Sequence, residues 1–118
     1  MGQLTTHILD TMRGRPGAGI AIELYRLARD RSPERLAAML ANADGRTDAP
    51  LLSGENFLIG DYELVFHLGD YFRAAGAYAG AAPFLDRVPL QFTISEPNGR
   101  YHVPLLCSPW GYSTYRGS

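Results

Sequence analysis

Apolar and polar residues alternate with a period of two through several short stretches of this chain. Within residues 4–10, Leu4, Thr6 and Ile8 fall on one side and Thr5, His7 and Leu9 on the other, the spacing that sends successive side chains to opposite faces of a strand. Residues 19–27 set Ile20, Ile22 and Leu24 against Ala21, Glu23 and Tyr25, although their Ala and Leu content also suits a helix. The cleanest alternation is in residues 61–68: Tyr62, Leu64, Phe66 and Leu68 face Asp61, Glu63, Val65 and His67, one dry face and one wet. Residues 88–94 and 101–108 alternate in the same way about Asn98-Gly99, which predicts a hairpin. Tyr101, Val103, Leu105 and Cys107 share its dry face, so Cys107 reads as a small buried hydrophobe, and Pro104 suits an edge or irregular position.

Between these stretches lie the interruptions. Arg13-Gly14-Arg15-Pro16-Gly17 is a loop, Asn42-Ala43-Asp44-Gly45-Arg46 an Asp-Gly turn, and residues 47–56 a loop with a short strand at Leu51-Leu52. Asp70 is placed to cap a short helix running to Ala75 and stopped by Gly76. Ser32-Pro33-Glu34-Arg35 followed by Leu36-Ala37-Ala38-Met39-Leu40-Ala41 has the cap, first-turn proline and strong formers of a helix. Many short strands with one short helix indicate an antiparallel β-sandwich, and 118 residues with 46% hydrophobic content indicate one domain, residues 1–118.

Composition narrows the chemistry. All eleven basic residues are Arg, which excludes a Schiff-base lysine and a P-loop. A net charge of −1 with scattered arginines gives no footprint for nucleic acid. The single Cys107 excludes an intrachain disulfide and a multi-cysteine zinc site. No apolar run has the length of a membrane span and there is no secretory signal pattern, so the expectation is a soluble, cytoplasmic protein. The start, Met1-Gly2-Gln3-Leu4-Thr5-Thr6, fits a loose myristoylation pattern but runs directly into the first strand.

The groups able to exchange protons near neutrality are His7, His67 and His102. His67, between acidic neighbours, reads as a surface histidine. His7 and His102 fit a hydrogen-bonded structural role and a catalytic one equally, and their spacing does not choose. No HxxxH or HxH pair and no carboxylate at ligand spacing points to a metal. Arg46 is either a solvated loop residue or a fixed cation in reach of an oxyanion. The serines lack a GxSxG elbow. An ending of Ser113-Thr114-Tyr115-Arg116-Gly117-Ser118 packs an aromatic ring, a guanidinium and a hydroxyl into the last residues, which is expected of an anchored terminus rather than a frayed one.

Five segments and that ending resemble the transthyretin-like family that includes the 5-hydroxyisourate hydrolases. They are residues 3–10 (QLTTHILD), 13–16 (RGRP), 42–48 (NADGRTD), 83–89 (PFLDRVP) and 101–106 (YHVPLL), with YRGS at 115–118. The resemblance covers the chain from Gln3 to Ser118. It implies an all-β fold, the transthyretin-type antiparallel eight-stranded β-sandwich with one short helix. It also implies a homotetramer built as a dimer of dimers, with active sites between the dimers, that opens the ring of 5-hydroxyisourate in urate breakdown. The functional positions it carries over are His7, Arg46, His102 and Ser118 as catalytic residues, with Tyr115, Arg116 and Gly117 binding substrate and neither metal nor cofactor. It further places a strand on the helix-like residues 32–41, and here the family pattern is followed because pairing commonly overrides propensity.

Two other readings stand beside hydrolysis. A carrier of a small hydrophobic ligand would need an open channel between dimers, where Tyr115 is expected to add bulk and the histidines polarity. A purely structural sandwich would use the polar terminus only for strand pairing.

Overall fold

In the computed structural model, which describes residues 1–118, two sheets face each other across one core. Sheet A carries β1 (Gln3–Asp10), β2 (Arg15–Pro16), β5 (Leu52–Ser53), β8 (Arg100–Cys107) and β9 (Tyr112–Thr114), with β1 and β8 at its centre and β9 at one edge. Sheet B is ordered β4 (Arg31–Leu40), β3 (Ala21–Ala28), β6 (Gly60–His67), β7 (Arg87–Ile94). The helix α1 (Leu68–Ala74) links β6 to β7. This is the expected sandwich; two of its strands, β2 and β5, are two-residue pairings against β1. Every ladder is antiparallel except that of β1 with β8, which is parallel.

The alternation in the sequence builds the core. Leu4 and Ile8 from β1, Ile22 and Leu24 from β3, Tyr62, Leu64 and Phe66 from β6, and Tyr101, Leu105 and Cys107 from β8 all turn inward and are buried. Thr5, His7 and Leu9 therefore point outward from sheet A, because a strand cannot bury both faces when only one meets the other sheet. Thr6 and Asp10 are the polar exceptions on this face of β1; the Thr6 hydroxyl donates to the Val103 carbonyl at 2.7 Å.

Residues 31–40 form a strand despite their helical propensity. They pair with β3 along most of its length, and Leu36, Ala37 and Met39 pack against the core. Pro33, which cannot donate to a ladder, is accommodated because β4 is the outer strand of sheet B and the pairing carries irregularities nearby.

Other expectations are corrected. The segments 88–94 and 101–108 are not a hairpin: β7 pairs with β6 and β8 with β1, so the chain at Asn98-Gly99 crosses from one sheet to the other. The Tyr101 hydroxyl sets this corner by accepting from the backbone N–H groups of Ser95 and Glu96 at 3.0 and 3.1 Å. Asp70 lies exposed in the first turn of α1 and caps nothing; the Leu68 and Gly69 N–H groups instead donate to the Asp86 carbonyl. Gly76 does end the helix, with φ of 79°. His67 is more than a solvated surface group, since its Nε2 lies 2.7 Å from Glu23 Oε1, which Arg87 also approaches. No helix is long and apolar enough to cross a membrane.

Candidate functional site

The parallel pairing of β1 with β8 decides what lies on the outer face of sheet A. Thr5 sits opposite His102 and His7 opposite Pro104, so both histidines project from neighbouring strands on the same face, one pleat apart. Thr5 Oγ1 is 2.8 Å from His102 Nδ1, joining residues 97 positions apart in sequence. Both rings are only partly exposed.

Arg46 reaches the same face through its turn. Asn42 Oδ1 accepts from the N–H groups of Asp44 and Arg46 at 2.9 and 3.1 Å, and Gly45 adopts φ of 77°, which a side chain would resist. The Gly45 carbonyl then accepts from the Ile8 N–H at 2.8 Å, clamping the turn onto β1. An Asx turn fastened to the strand that carries His7 thus presents the next residue, Arg46, to the histidines. Its guanidinium forms no ion pair within the chain.

The last residues complete the arrangement, and Pro104 explains how. The β8–β9 ladder runs through Leu105 opposite Thr114, breaks where Pro104 has no N–H to give, and resumes in the same register at His102 opposite Gly117. Pro104 is therefore irregular, as expected, but lies in an inner strand rather than at an edge. The Gly117 N–H donates to the His102 carbonyl at 2.7 Å. A Cβ on Gly117 would lie 2.7 Å from His102 Cδ2 and 3.3 Å from Pro104 Cγ, so only glycine lets the chain pass this close to the ring.

A cavity of about 420 Å³ results, with Thr5, Arg46, His102 and Ser118 in its walls together with Gln3, Thr47 and Arg100. Burial, then the positive charge of Arg46, then His7 hold the His102 imidazole below its ordinary pKa, which favours the neutral ring with a lone pair for a proton. A larger hollow of about 680 Å³ elsewhere is lined by Arg26, Arg31 and Arg35 but holds no histidine.

The structure thus brings together His102, Arg46 and Ser118, with His7 beside them but outside the cavity wall of the single protomer. It does not bring the Tyr115 and Arg116 side chains into this cavity. Both line a groove with Leu90, Phe92 and Val103 at the open side of the sandwich. Arg116 stacks over the Tyr101 ring with 4.1 Å to its centroid and pairs with Glu96 at 3.3 Å, which anchors the terminus, while Gly117 contributes its backbone. Thr5, Thr47 and Arg100 went unnoticed in the sequence. Only Thr5 had a signal there, its position on the same strand face as His7.

The sequence model described as the HIUase/Transthyretin family matches residues 4–117. The chain is 55% identical over 117 residues to 5-hydroxyisourate hydrolase 2 of Rhizobium meliloti, covering 99% of this chain and 97% of that protein. A solved structure of Klebsiella pneumoniae 5-hydroxyisourate hydrolase aligns with a TM-score of 0.81 at 36% identity over the whole of both chains. A crystal structure of (S)-allantoin synthase aligns with a TM-score of 0.91 at 44% identity, covering 99% of this chain and 44% of the synthase chain. With a family match across nearly its whole length and relatives of more than half identical sequence, this chain belongs to the HIUase/transthyretin family.

Proposed function

We propose that the protein hydrolyses 5-hydroxyisourate to 2-oxo-4-hydroxy-4-carboxy-5-ureidoimidazoline, a step of urate breakdown. The observation that carries this reading is the convergence of a neutral-leaning His102, an unpaired Arg46 and the Ser118 terminus on one polar cavity. The names of the relatives supply the substrate.

The reaction is that of a cyclic amide hydrolase. A histidine takes a proton from water as the water oxygen bonds to a ring carbonyl carbon, and Arg46 stabilises the oxyanion that develops. The adjacent C–N bond breaks, its nitrogen takes up the proton held by the histidine, and the new carboxylic acid, retained on the opened ring, releases its own proton to solvent to become the carboxylate. A positioned base contributes about 10²–10⁴-fold and an oxyanion donor about 10²–10³-fold, enough for a substrate that is already labile in water. No cofactor enters the scheme. Ser118 orients the substrate.

The same reading makes the working form a dimer of dimers. Support comes from His7, held on the outer face of sheet A beside the cavity, and from the exposed Leu9 two residues along the same strand face, surface that a facing protomer would cover. The polar walls of the cavity argue against a carrier of hydrophobic ligands. The test is the rate of absorbance loss from freshly generated 5-hydroxyisourate. Wild-type protein is expected to accelerate it strongly and His102→Asn to lose most of that acceleration while remaining folded; equal rates for the two proteins would overturn the assignment.

A further inference from the structure

We propose that Thr5 is a positioning residue that fixes the ring and tautomer of His102, leaving Nε2 as the site of proton uptake. The proposal rests on the hydrolase reading for its kinetic consequence, but its structural content stands without a substrate.

Three observations carry it. The Thr5 hydroxyl is 2.8 Å from His102 Nδ1 and makes no other hydrogen bond within the chain. The two residues are directly opposed in the β1–β8 ladder, so two backbones set this contact and neither side chain needs to reach for it. Gly117 closes the Cδ2 edge of the ring, which removes the freedom to rotate away. Of the two ring nitrogens, Nε2 has no partner within the chain, while His102 stands in the wall of the cavity.

A hydroxyl can donate to Nδ1 or accept from Nδ1–H, and the hydrolase reading chooses between the two directions. A base needs a lone pair facing the reacting water, and a neutral imidazole has only one. If Nε2 supplies it, the proton is on Nδ1 and must be donated to an acceptor, which is Thr5 Oγ1. The hydroxyl is neutral, so it orients the ring without pulling the imidazole toward its charged form as a carboxylate would. The low basicity set by burial, Arg46 and His7 is thereby preserved. The charged and titratable groups facing His102 are Arg46 from its turn, His7 from β1, Arg100 from β8 and the Ser118 terminus; none of them contacts Nδ1.

Thr5→Val keeps the shape and removes the hydroxyl, whereas Thr5→Ser keeps the hydroxyl. In ¹⁵N-labelled protein near pH 7.5, the His102 ring resonances of the wild type are expected to show a protonated Nδ1 and an unprotonated Nε2. Thr5→Val should move toward a mixture and Thr5→Ser should keep the wild-type pattern. With 5-hydroxyisourate, kcat of Thr5→Val should fall about tenfold to a hundredfold, a fraction of what a base contributes, with KM little changed, and Thr5→Ser should recover most of the loss. An Nε2-protonated wild type, or a Thr5→Val protein with unchanged ring resonances, overturns the proposal. So does a Thr5→Ser protein as impaired as Thr5→Val, since packing and not the hydroxyl would then be at work. A wild type that shows the tautomer but no turnover instead refutes the hydrolase reading and leaves the positioning role of Thr5 standing.

Discussion

At the scale of single residues, the site is governed by how a cation and a base are kept close without neutralising each other. Arg46 comes from a turn rather than a strand and is bound in no ion pair within the chain, and its charge disfavours a second positive charge on the imidazole. The pH dependence follows with a definite sign. A lowered His102 pKa keeps the ring unprotonated down to pH values below the ordinary imidazole range of about 6.5, so kcat/KM should hold on the acid side and fall only beneath that range. Arg46→Gln removes the second-largest cause of the lowering while burial and His7 persist. The acid limb of the kcat/KM profile should therefore move to higher pH, and the plateau should drop about 10²–10³-fold with the lost oxyanion donor. A profile whose acid limb stays in place or moves lower would show that Arg46 does not act on His102. Gly117 makes the complementary point: its missing side chain is what lets the terminus pass over the ring.

At the scale of elements, the strands with one dry face were legible and the pairings between them were not. β6 could be read directly, because Tyr62, Leu64 and Phe66 needed burial and Asp61 and Glu63 did not. For β4 local preference pointed the wrong way. Ser32-Pro33 opens a good helix in isolation, yet the segment gains more by pairing with β3 and placing Leu36 and Met39 on the core. The β7–β8 corner misled because an Asn-Gly pair reverses the chain equally well within a sheet and between sheets. The histidines and Arg46 were recognisable as candidates, but their meeting depends on the parallel β1–β8 register, which no local pattern encodes. Elements are also tied together by polar contacts that the alternation hides. Asp10, fully buried at the end of β1, accepts from Arg13 at 2.8 Å and from the Tyr71 hydroxyl of α1 at 2.7 Å. Burial alone would raise the Asp10 pKa; the hydrogen bonds from Arg13 and Tyr71 outweigh it and carry it below the ordinary value. A lowered carboxyl pKa adds stability above the unfolded-state value of about 3.9 that is lost as pH falls. Tyr71→Phe should therefore cost about 1–2 kcal/mol at neutral pH, read as a fall in Tm of about 4–8 °C, and should begin acid unfolding at a higher pH than the wild type. Unchanged acid unfolding would mean that the contact does not join helix to sheet.

At the scale of the whole molecule, one side chain reports whether the two sheets stay together. Cys107 lies at the end of β8 with no exposed surface, its thiol directed at the Leu9 carbonyl at 3.6 Å. Burial, reinforced by the nearby Asp10 carboxylate, pushes its pKa up to about 12. Only the thiolate attacks a disulfide reagent, and at pH 8 a thiol of that pKa is ionised to about one part in 10⁴. Access is closed as well, since a reagent must pass between sheets whose facing residues form one continuous core. Both barriers disappear together when the sandwich opens, because the unfolded thiol is exposed and returns to an ordinary pKa of about 8.5. Modification of Cys107 by a coloured disulfide reagent should therefore be negligible over hours in buffer, then accelerate with added urea along the same curve as the loss of β-sheet circular dichroism. Stoichiometric labelling within minutes while the β signal is intact would show that β8, which also carries His102, separates from the core without global unfolding. The cavity would then lack the rigid strand that its geometry requires.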